Sequence, residues 1–225
     1  ESYKAEVVRP FFKDHFSRID RQIVLVDVLG ALGRGADAVR DLDRAMEGVL
    51  KAFRPGANSW LSMLMGRRIE KVLFAATKAD HLPASSHDRL AAILQVIVEQ
   101  AAKRAHTEGA GTAALAIAAL RATREAMVKA DSQSLPCLKG VPLAGERIGD
   151  HIYDGVEEAA IFPGDLPADP SAALDAARIA TSASFQLIRF EPPRLKPKGS
   201  DVATPALPHI RLDRALDFLL AEDLA

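Results

Sequence analysis

Three short apolar runs set the pattern of this chain, and each ends in polar or small residues. They occupy residues 23–26, residues 72–76 and an alanine-rich stretch at 113–123. Short apolar runs bounded by turn residues are typical of strands buried on both faces of a sheet. Segments with helical periodicity fill the gaps, so the chain is expected to form an α/β fold with a mainly parallel sheet, helices on both faces and right-handed connections.

Helical periodicity is clearest in three segments: residues 37–53, 85–106 and 212–220. Apolar side chains recur there at intervals of three and four, as on the buried face of a helix. Ser85 and Asp88 form a candidate capping box at the start of the second segment. The third segment carries four leucines and is expected to dock on the sheet. The buried stripes are predicted at Val39, Leu42, Met46, Val49, Leu50 and Phe53, at Leu90, Ile93, Leu94, Ile97 and Ala101, and at Leu212, Leu216, Leu219 and Leu220.

The remaining segments give weaker predictions. The alanine-rich run predicts a strand that ends near Ala119 and a helix over residues 123–129. Residues 131–170 contain many Gly, Pro and Asp and predict an irregular insertion with at most a hairpin. A short helix at 172–180, a strand at 185–190 and a loop at about 192–208 follow. Residues 1–225 are expected to form one domain.

Asp27 follows the first apolar run, and Gly30 comes three positions later. The carboxyl ends of strands are where open α/β sheets bind ligands. A carboxylate there suits Mg²⁺, directly or through water, and a glycine lets a backbone N–H approach a phosphate. The alternative is an acidic turn residue that closes a strand. The segment after Gly30 contains further glycines and is predicted to be a mobile loop.

The second apolar run ends in Thr77, Lys78, Ala79 and Asp80. These residues resemble the N-K-x-D guanine-recognition motif of P-loop GTPases, with Thr77 in place of Asn. A carboxylate at Asp80 accepts hydrogen bonds from the ring N–H and the exocyclic amine of guanine, and bonds to a charged group are strong. After the third run, Ala119, Leu120 and Arg121 resemble the turn that closes over the base in those proteins.

Composition and charge exclude several other classes of protein. The chain has 225 residues, 48% of them hydrophobic, and a net charge of −1, which argues against nucleic-acid binding. A single cysteine, Cys137, fits a reducing compartment. No apolar run approaches the length of a transmembrane helix, the chain starts with polar residues rather than a signal peptide, and the histidines lack zinc-site spacing.

The segments VVRPFFKDHFSRIDRQIVLVDVLGAL, FRPGANSWL, VLFAATKADHL, EAAIFPGDLP and LPHIRLDRALDFLL resemble the YcjX family of stress-linked bacterial P-loop NTPases. The resemblance covers nearly the whole chain. Because the phosphate-binding motif G-x-x-x-x-G-K-[ST] is absent, the chain is expected to be the carboxyl-terminal part of a longer protein. Ala31 stands where many GTPases carry a water-orienting Gln, and Arg34 is a candidate transition-state cation, with a solvent-facing loop arginine as the alternative.

The resemblance implies a cytoplasmic protein, at or near the inner membrane face, that binds GTP or GDP with Mg²⁺ and hydrolyses GTP slowly. It also implies a role in envelope stress beside a membrane-protein partner. Asp27 would hold the metal through water, Gly30 would sense the γ-phosphate, and Thr77, Lys78 and Asp80 would read the base. The rival hypothesis is an interaction or scaffold protein on a GTPase-like fold, because Ala31 and Thr77 both depart from the catalytic pattern.

Overall fold

A computed structural model describes Glu6 and residues 19–52, 69–130, 133–175, 187–193 and 207–221. Much of the predicted helix at 172–180, of the strand at 185–190 and of the loop at 192–208 lies outside these ranges. The side chains of Val49, Leu50 and Phe53, predicted to continue the first buried stripe, also lie outside what the structure describes. The strands are β1 Arg21–Val26, β2 Lys71–Ala76, β3 Gly111–Ala116, β4 Arg124–Ala130, β5 Gln133–Gly140, β6 Arg147–Ile148, β7 His151–Ile152 and β8 Ala159–Ile161. The α-helices are α1 Val28–Arg34, α2 Ala36–Ala52, α3 His87–Ile97, α4 Glu99–Thr107 and α5 Leu212–Leu220.

The three strands predicted from the apolar runs form one parallel sheet in the order β1-β2-β3. Their register is level: Val26 lies beside Ala76, and Ala76 lies beside Ala116. The residues that follow each strand therefore emerge at one edge of the sheet. This confirms the α/β class and the parallel sheet.

Helices cover both faces of this sheet. On one face, Val24, Val26 and Phe74 pack in a core with α1, α2, α3 and α4. On the other face, Leu73, Ala75 and Ile117 pack against Ala215 and Leu219 of α5. The predicted docking of the last helix is confirmed, but its buried stripe is displaced, because Leu216 and Leu220 are exposed.

The prediction that the first strand is buried on both faces is wrong. Val24 and Val26 are buried, whereas Ile23 is 38% and Leu25 61% exposed. In the described part of the chain β1 is the outer strand of the sheet, and α5 packs over β2 and β3 rather than over β1. Buried and exposed side chains therefore alternate along β1, because one face of the strand is covered by helices and the other is open.

The predicted helix at 85–106 is two helices, α3 and α4, that meet at Val98. The β-branched run Val96, Ile97 and Val98 weakens helix propensity at that point. The predicted buried stripe is nevertheless confirmed, since all five of its residues are buried. The capping box is not formed: Ser86 precedes the helix without a side-chain cap, and Asp88 accepts a hydrogen bond from Arg211 at 2.6 Å.

The helix predicted at 123–129 is wrong, because Arg124–Ala130 forms strand β4. Its residues are good helix formers, but pairing with β5 along its whole length overrides that local preference. Residues 131–170 are likewise more regular than predicted. β4, β5 and β8 form an antiparallel sheet, hereafter the second sheet, and β6 and β7 form a hairpin.

Two further predicted elements, the helix at 172–180 and the strand at 185–190, are described by the structure only in part. Residues 170–174 form a 3-10 turn, Pro170–Leu174, where the helix at 172–180 was expected to begin. Residues 187–190 form no regular strand, although Phe190 makes an isolated bridge to Pro142. None of the helices in the described ranges is long and apolar enough to cross a membrane.

Candidate functional site

The level ends of β1, β2 and β3 bring the predicted site residues to one edge of the parallel sheet. Backbone hydrogen bonds join the loops there. The Thr77 N–H donates to the Val26 carbonyl at 3.0 Å, and the Ala79 N–H donates to the Ile117 carbonyl at 3.1 Å. The loop after β2 is thus fixed to the ends of both neighbouring strands.

Asp27 is the N-cap of helix α1, and its Oδ1 accepts a hydrogen bond from the Gly30 N–H at 3.0 Å. The segment predicted as a mobile glycine loop is therefore helical from Val28 to Arg34. An Asp cap and the burial of Val28 and Leu29 against the core stabilise this short helix. A Cβ at position 30 would clash with the carboxyl group of Asp27, so any larger residue there would displace that side chain.

Lys78 and Asp27 connect the first two motifs directly. The Lys78 Nζ donates to Asp27 Oδ2 at 2.8 Å, and Lys78 has a left-handed backbone with φ of 64°. Burial raises the pKa of the Asp27 carboxyl, but hydrogen bonds from Lys78 and Gly30 and the charges of Lys78 and Arg34 outweigh it and leave that pKa below its usual value. Asp27 is therefore an ionised carboxylate at neutral pH. Arg34 lies exposed in the last turn of α1.

Asp80 lies in a 3-10 turn, Ala79–His81, and is only 6% exposed. Its Oδ2 accepts a hydrogen bond from the Ala122 N–H at 3.1 Å. Its other oxygen, Oδ1, has no hydrogen-bond partner in the part of the chain that the structure describes. One oxygen is fixed and the other is available to a ligand.

The turn predicted to close over the base lies beside Asp80, but Ala122 rather than Ala119 or Leu120 supplies the peptide N–H that meets the carboxylate. Ala119 and Leu120 are exposed. The Arg121 Nε donates to the Thr123 carbonyl at 2.9 Å, and a terminal nitrogen lies 3.7 Å from Glu125. The guanidinium is therefore held at the start of β4.

Thr123 and His87 belong to this site, and sequence reasoning missed both. Each is 5% exposed, and each contacts the loop around Asp80 through backbone carbonyls. Thr123 Oγ1 donates to the Asp80 carbonyl, and His87 Nε2 lies 2.9 Å from the Ala79 carbonyl and 3.2 Å from the Leu82 carbonyl. Because the partners of both side chains are backbone carbonyls, which every residue has, these contacts produce no recognisable sequence motif. The only signal was a polar residue at the start of an otherwise apolar helix stripe.

His81 follows Asp80 and forms the wall of the site toward the second sheet. Its ring meets the Phe190 ring edge-on, with 5.6 Å between the ring centroids. Burial lowers the pKa of the His81 imidazole, although the Asp80 carboxylate acts in the opposite direction. His81 is therefore neutral at physiological pH and adds no charge beside Asp80.

Asp27 fits a metal only as one ligand among several. Within the described ranges, no group of three or more His, Cys, Asp or Glu side chains gathers in a way that could hold a metal ion. Mg²⁺ commonly keeps several waters and binds through one or two carboxylates and substrate phosphates. An ionised Asp27 at the sheet edge meets that requirement, whereas a metal cage made of protein ligands alone is not formed there.

A cleft of about 690 Å³ opens next to this edge, beside the start of β4 and the end of β5 in the second sheet. Arg121, Thr123, Arg124 and Lys139 contribute to its lining, together with Glu158. Arg124 and Lys139 both form ion pairs with Glu158, at 2.8 and 3.1 Å. Asp27, Lys78 and Asp80 do not line this cleft, so their site is the sheet edge itself.

Comparison with known proteins agrees with the sequence motifs. A model of the YcjX-like family, DUF463, matches residues 1–224. A protein of Escherichia coli (strain K12) named Ras-like GTPase YcjX is 34% identical over 222 residues, which are 99% of this chain and 43% of that protein. A Shewanella oneidensis protein of the same name is 31% identical over 224 residues, covering 100% of this chain and 43% of that protein. The chain thus spans less than half the length of these curated relatives.

Proposed function

The chain belongs to the YcjX-like family, and from that premise we propose that the full-length protein is a P-loop NTPase that binds guanine nucleotides and hydrolyses GTP slowly with Mg²⁺. The residues described above would form the metal-side and base-side walls of its nucleotide site. The phosphate-binding loop would come from a part of the protein that this chain does not span.

One observation carries the proposal: the level ends of three parallel strands place Asp27, Lys78 and Asp80 at one edge of the sheet. Ligands of open α/β sheets bind at the carboxyl ends of the strands. The bond from Lys78 to Asp27 shows that the two motifs lie within one side-chain length of each other. A nucleotide bound at this edge would reach both motifs.

The contacts of Asp80 support the proposal that it reads guanine. Its Oδ2 is oriented by the Ala122 N–H, and its Oδ1 is free in the described structure. Both oxygens of a carboxylate can accept further bonds, so the ring N–H and the exocyclic amine of guanine are suitable donors. Thr77, in place of the usual Asn, serves the loop itself through its bonds to the Val26 carbonyl.

The ion pair between Lys78 and Asp27 is compatible with ligand entry. The side chains are 47% and 40% exposed, and such pairs contribute only about 0–1 kcal/mol to stability. Replacing that pair with bonds to a nucleotide therefore costs little. Lys78 would then lie along the base or the phosphate-binding loop, and Asp27 would hold Mg²⁺ through water. When bound, Mg²⁺ neutralises charge on the phosphates.

The second candidate is an interaction protein with weak or lost turnover. Ala31 in place of a water-orienting Gln favours it, and Ala31 is buried in α1. Arg34, exposed on the same helix, is the candidate cation for a slow hydrolytic reaction. A cytoplasmic location, contact with a membrane-protein partner and a role in envelope stress are further parts of the proposal that rest on the family resemblance alone.

Single-turnover hydrolysis of GTP by the full-length protein separates the two candidates. We expect slow, Mg²⁺-dependent release of phosphate. Asp27→Ala should weaken GTP binding or hydrolysis more than GDP binding, because the metal is also held by γ-phosphate oxygens that GDP lacks. Asp41→Ala, an exposed acid on α2, is the matched control and should behave as wild type.

Equal losses for GTP and GDP in Asp27→Ala would assign Asp27 a structural role, as the cap of α1. Nucleotide binding without any phosphate release would favour the interaction protein. Failure to bind either nucleotide would reject the proposed function.

A further inference from the structure

The backbone on both sides of Asp80 is held by two side chains from different elements. His87 begins helix α3 and reaches back to the Ala79 carbonyl, at 2.9 Å. Thr123 lies directly before β4 and donates its hydroxyl to the Asp80 carbonyl. The Ala79 carbonyl belongs to the peptide unit before the Asp80 Cα, and the Asp80 carbonyl belongs to the unit after it. Since φ and ψ are rotations of these two planes, the two contacts together fix the backbone of Asp80.

The chemistry of each contact is determined by its partners. Two carbonyl oxygens, of Ala79 and Leu82, face His87 Nε2, and carbonyls only accept, so Nε2 must carry the proton. The Thr123 hydroxyl likewise donates, because the Asp80 carbonyl is an acceptor. Both side chains are buried, so removing either donor leaves a carbonyl without its partner in a place that water reaches poorly.

The side chain of Asp80 is oriented by the same region. Ala122 precedes Thr123, and its N–H donates to Asp80 Oδ2. The Glu125 carboxylate accepts from the Ala84 N–H at 3.1 Å, which fixes the far end of the same loop. The loop that carries Asp80 is thus hydrogen-bonded to His87 of α3 on one side and to the start of the second sheet on the other.

We propose that His87 and Thr123 are positioning residues for base recognition: they hold the two peptide units that flank Asp80 so that its free carboxylate oxygen stays directed at the guanine. This rests on the proposed function. It predicts that base selectivity depends on two residues that never touch the nucleotide.

The test uses the full-length protein and two pairs of variants. Thr123→Val removes the hydroxyl at nearly constant volume, and Thr123→Ser retains it. His87→Phe removes the donor, and His87→Gln supplies an amide donor in its place. Thr107→Val is the control, because the Thr107 hydroxyl donates to the Lys103 carbonyl on α4, far along the chain from this loop.

Two quantities are measured: the ratio of GDP affinity to xanthosine diphosphate affinity by calorimetry, and backbone hydrogen exchange over residues 79–84. We expect Thr123→Val and His87→Phe to lower the ratio about three- to tenfold, the effect of losing one hydrogen bond, and to speed exchange in the loop. Thr123→Ser, His87→Gln and Thr107→Val should stay near wild type in both.

A wild-type ratio in both Thr123→Val and His87→Phe, with only a lower unfolding temperature, would overturn the positioning role. Unchanged hydrogen exchange over residues 79–84 in both variants would show that His87 and Thr123 do not hold the backbone around Asp80. Wild-type protein that shows no preference for GDP over xanthosine diphosphate would instead reject the proposed function and, with it, the base-reading role. That failure is recognised before any variant is compared.

Discussion

At the residue scale, Asp80 combines burial with one unoccupied carboxylate oxygen. A carboxylate in a buried residue is normally satisfied by several donors or by water. Among the described residues, Asp80 Oδ1 is not one of the fully buried atoms that lack a partner, so it stays accessible. Asp80 has the Ala122 N–H on Oδ2 and no described partner on Oδ1. The arrangement suits a ligand with two adjacent donors, which guanine offers and adenine does not.

Asp80→Asn in the full-length protein should change the preferred base. A bond to a charged group contributes roughly 1.5–3 kcal/mol, and an amide can keep at most one of the two bonds to guanine well. One bond is lost, and the bond that remains is weaker because the amide is neutral, so we expect GDP affinity to fall by about 3–4 kcal/mol, or on the order of 10²–10³-fold. Xanthine carries a carbonyl where guanine has its amine, so the amide can donate to it. Competition calorimetry with both diphosphates measures the change.

Asp41→Asn provides the control for that experiment, since Asp41 is exposed and pairs with Arg44 on α2. If Asp80 only stabilises its turn, Asp80→Asn will unfold at a lower temperature while keeping the wild-type ratio of GDP to xanthosine diphosphate affinity. The interpretation of Thr77–Asp80 as a guanine-reading motif would then be wrong.

At the element scale, helix α1 depends on the same carboxylate that is proposed for the metal. Asp27 caps the helix, and the Gly30 N–H lies under the carboxylate with no space for a Cβ. The position of Asp27 therefore depends on how this short helix packs against the core. A change in the cap should alter both stability and the position of Asp27.

Gly30→Ala should displace the Asp27 side chain and break the cap. Losing an N-cap costs about 0.5–2 kcal/mol, so thermal unfolding of the full-length protein should occur at a lower temperature. Gly33→Ala on the same helix is the matched control: the added Cβ would meet Leu187 at an ordinary 3.5 Å. Alanine is the better helix former by about 0.5–1 kcal/mol, so Gly33→Ala should be neutral or stabilising. Equal destabilisation by both variants would show that the Asp27 cap is unimportant.

Strand β4 shows how an element can depend on its surroundings. Residues 124–130 have side chains that favour a helix, and they form a strand because β5 pairs with every one of them. The strand start places Ala122 and Thr123 against Asp80. A helix at this position would not place Ala122 and Thr123 against the loop around Asp80 in this way.

At the scale of the whole molecule, the described site would be one part of the proposed nucleotide pocket. The chain contains no G-x-x-x-x-G-K-[ST] motif, and it spans 43% of the length of each curated relative described above. The backbone N–H groups of that motif supply most of the bonds to the phosphates in P-loop proteins. The residues proposed for the metal side and the base side would therefore provide only part of the free energy of nucleotide binding.

The isolated 225-residue chain should consequently bind GDP too weakly to detect by calorimetry at micromolar concentrations. The full-length protein in the same titration is the positive control, and circular dichroism checks that the isolated chain is folded. Tight binding of GDP by the isolated chain would mean that the phosphate site lies within it and that the proposed division of the pocket is wrong.

The sequence by itself determined the three strands of the parallel sheet, the main helices and the family. Apolar runs of the right length predicted β1, β2 and β3, and helical periodicity predicted α2, α5 and the buried stripe of α3 and α4. These features are local: each follows from which residues within about twenty positions share a face. The order of the motifs along the chain was likewise readable, and it led to the family that the comparisons confirm.

Only the tertiary structure decided which atoms meet. The open face of β1 and the contacts of Ala122 and Thr123 with Asp80 depend on residues far away in the chain. The second sheet, the helix after Gly30 and the contacts of His87 involve nearer residues, but the pattern of side chains did not identify them. Asp80 and Ala122 are 42 residues apart, and their contact passes through a backbone N–H that every residue except proline possesses. The pattern of side chains along the sequence therefore cannot predict such a bond. The geometry of the candidate site therefore emerges only when the strands are placed side by side.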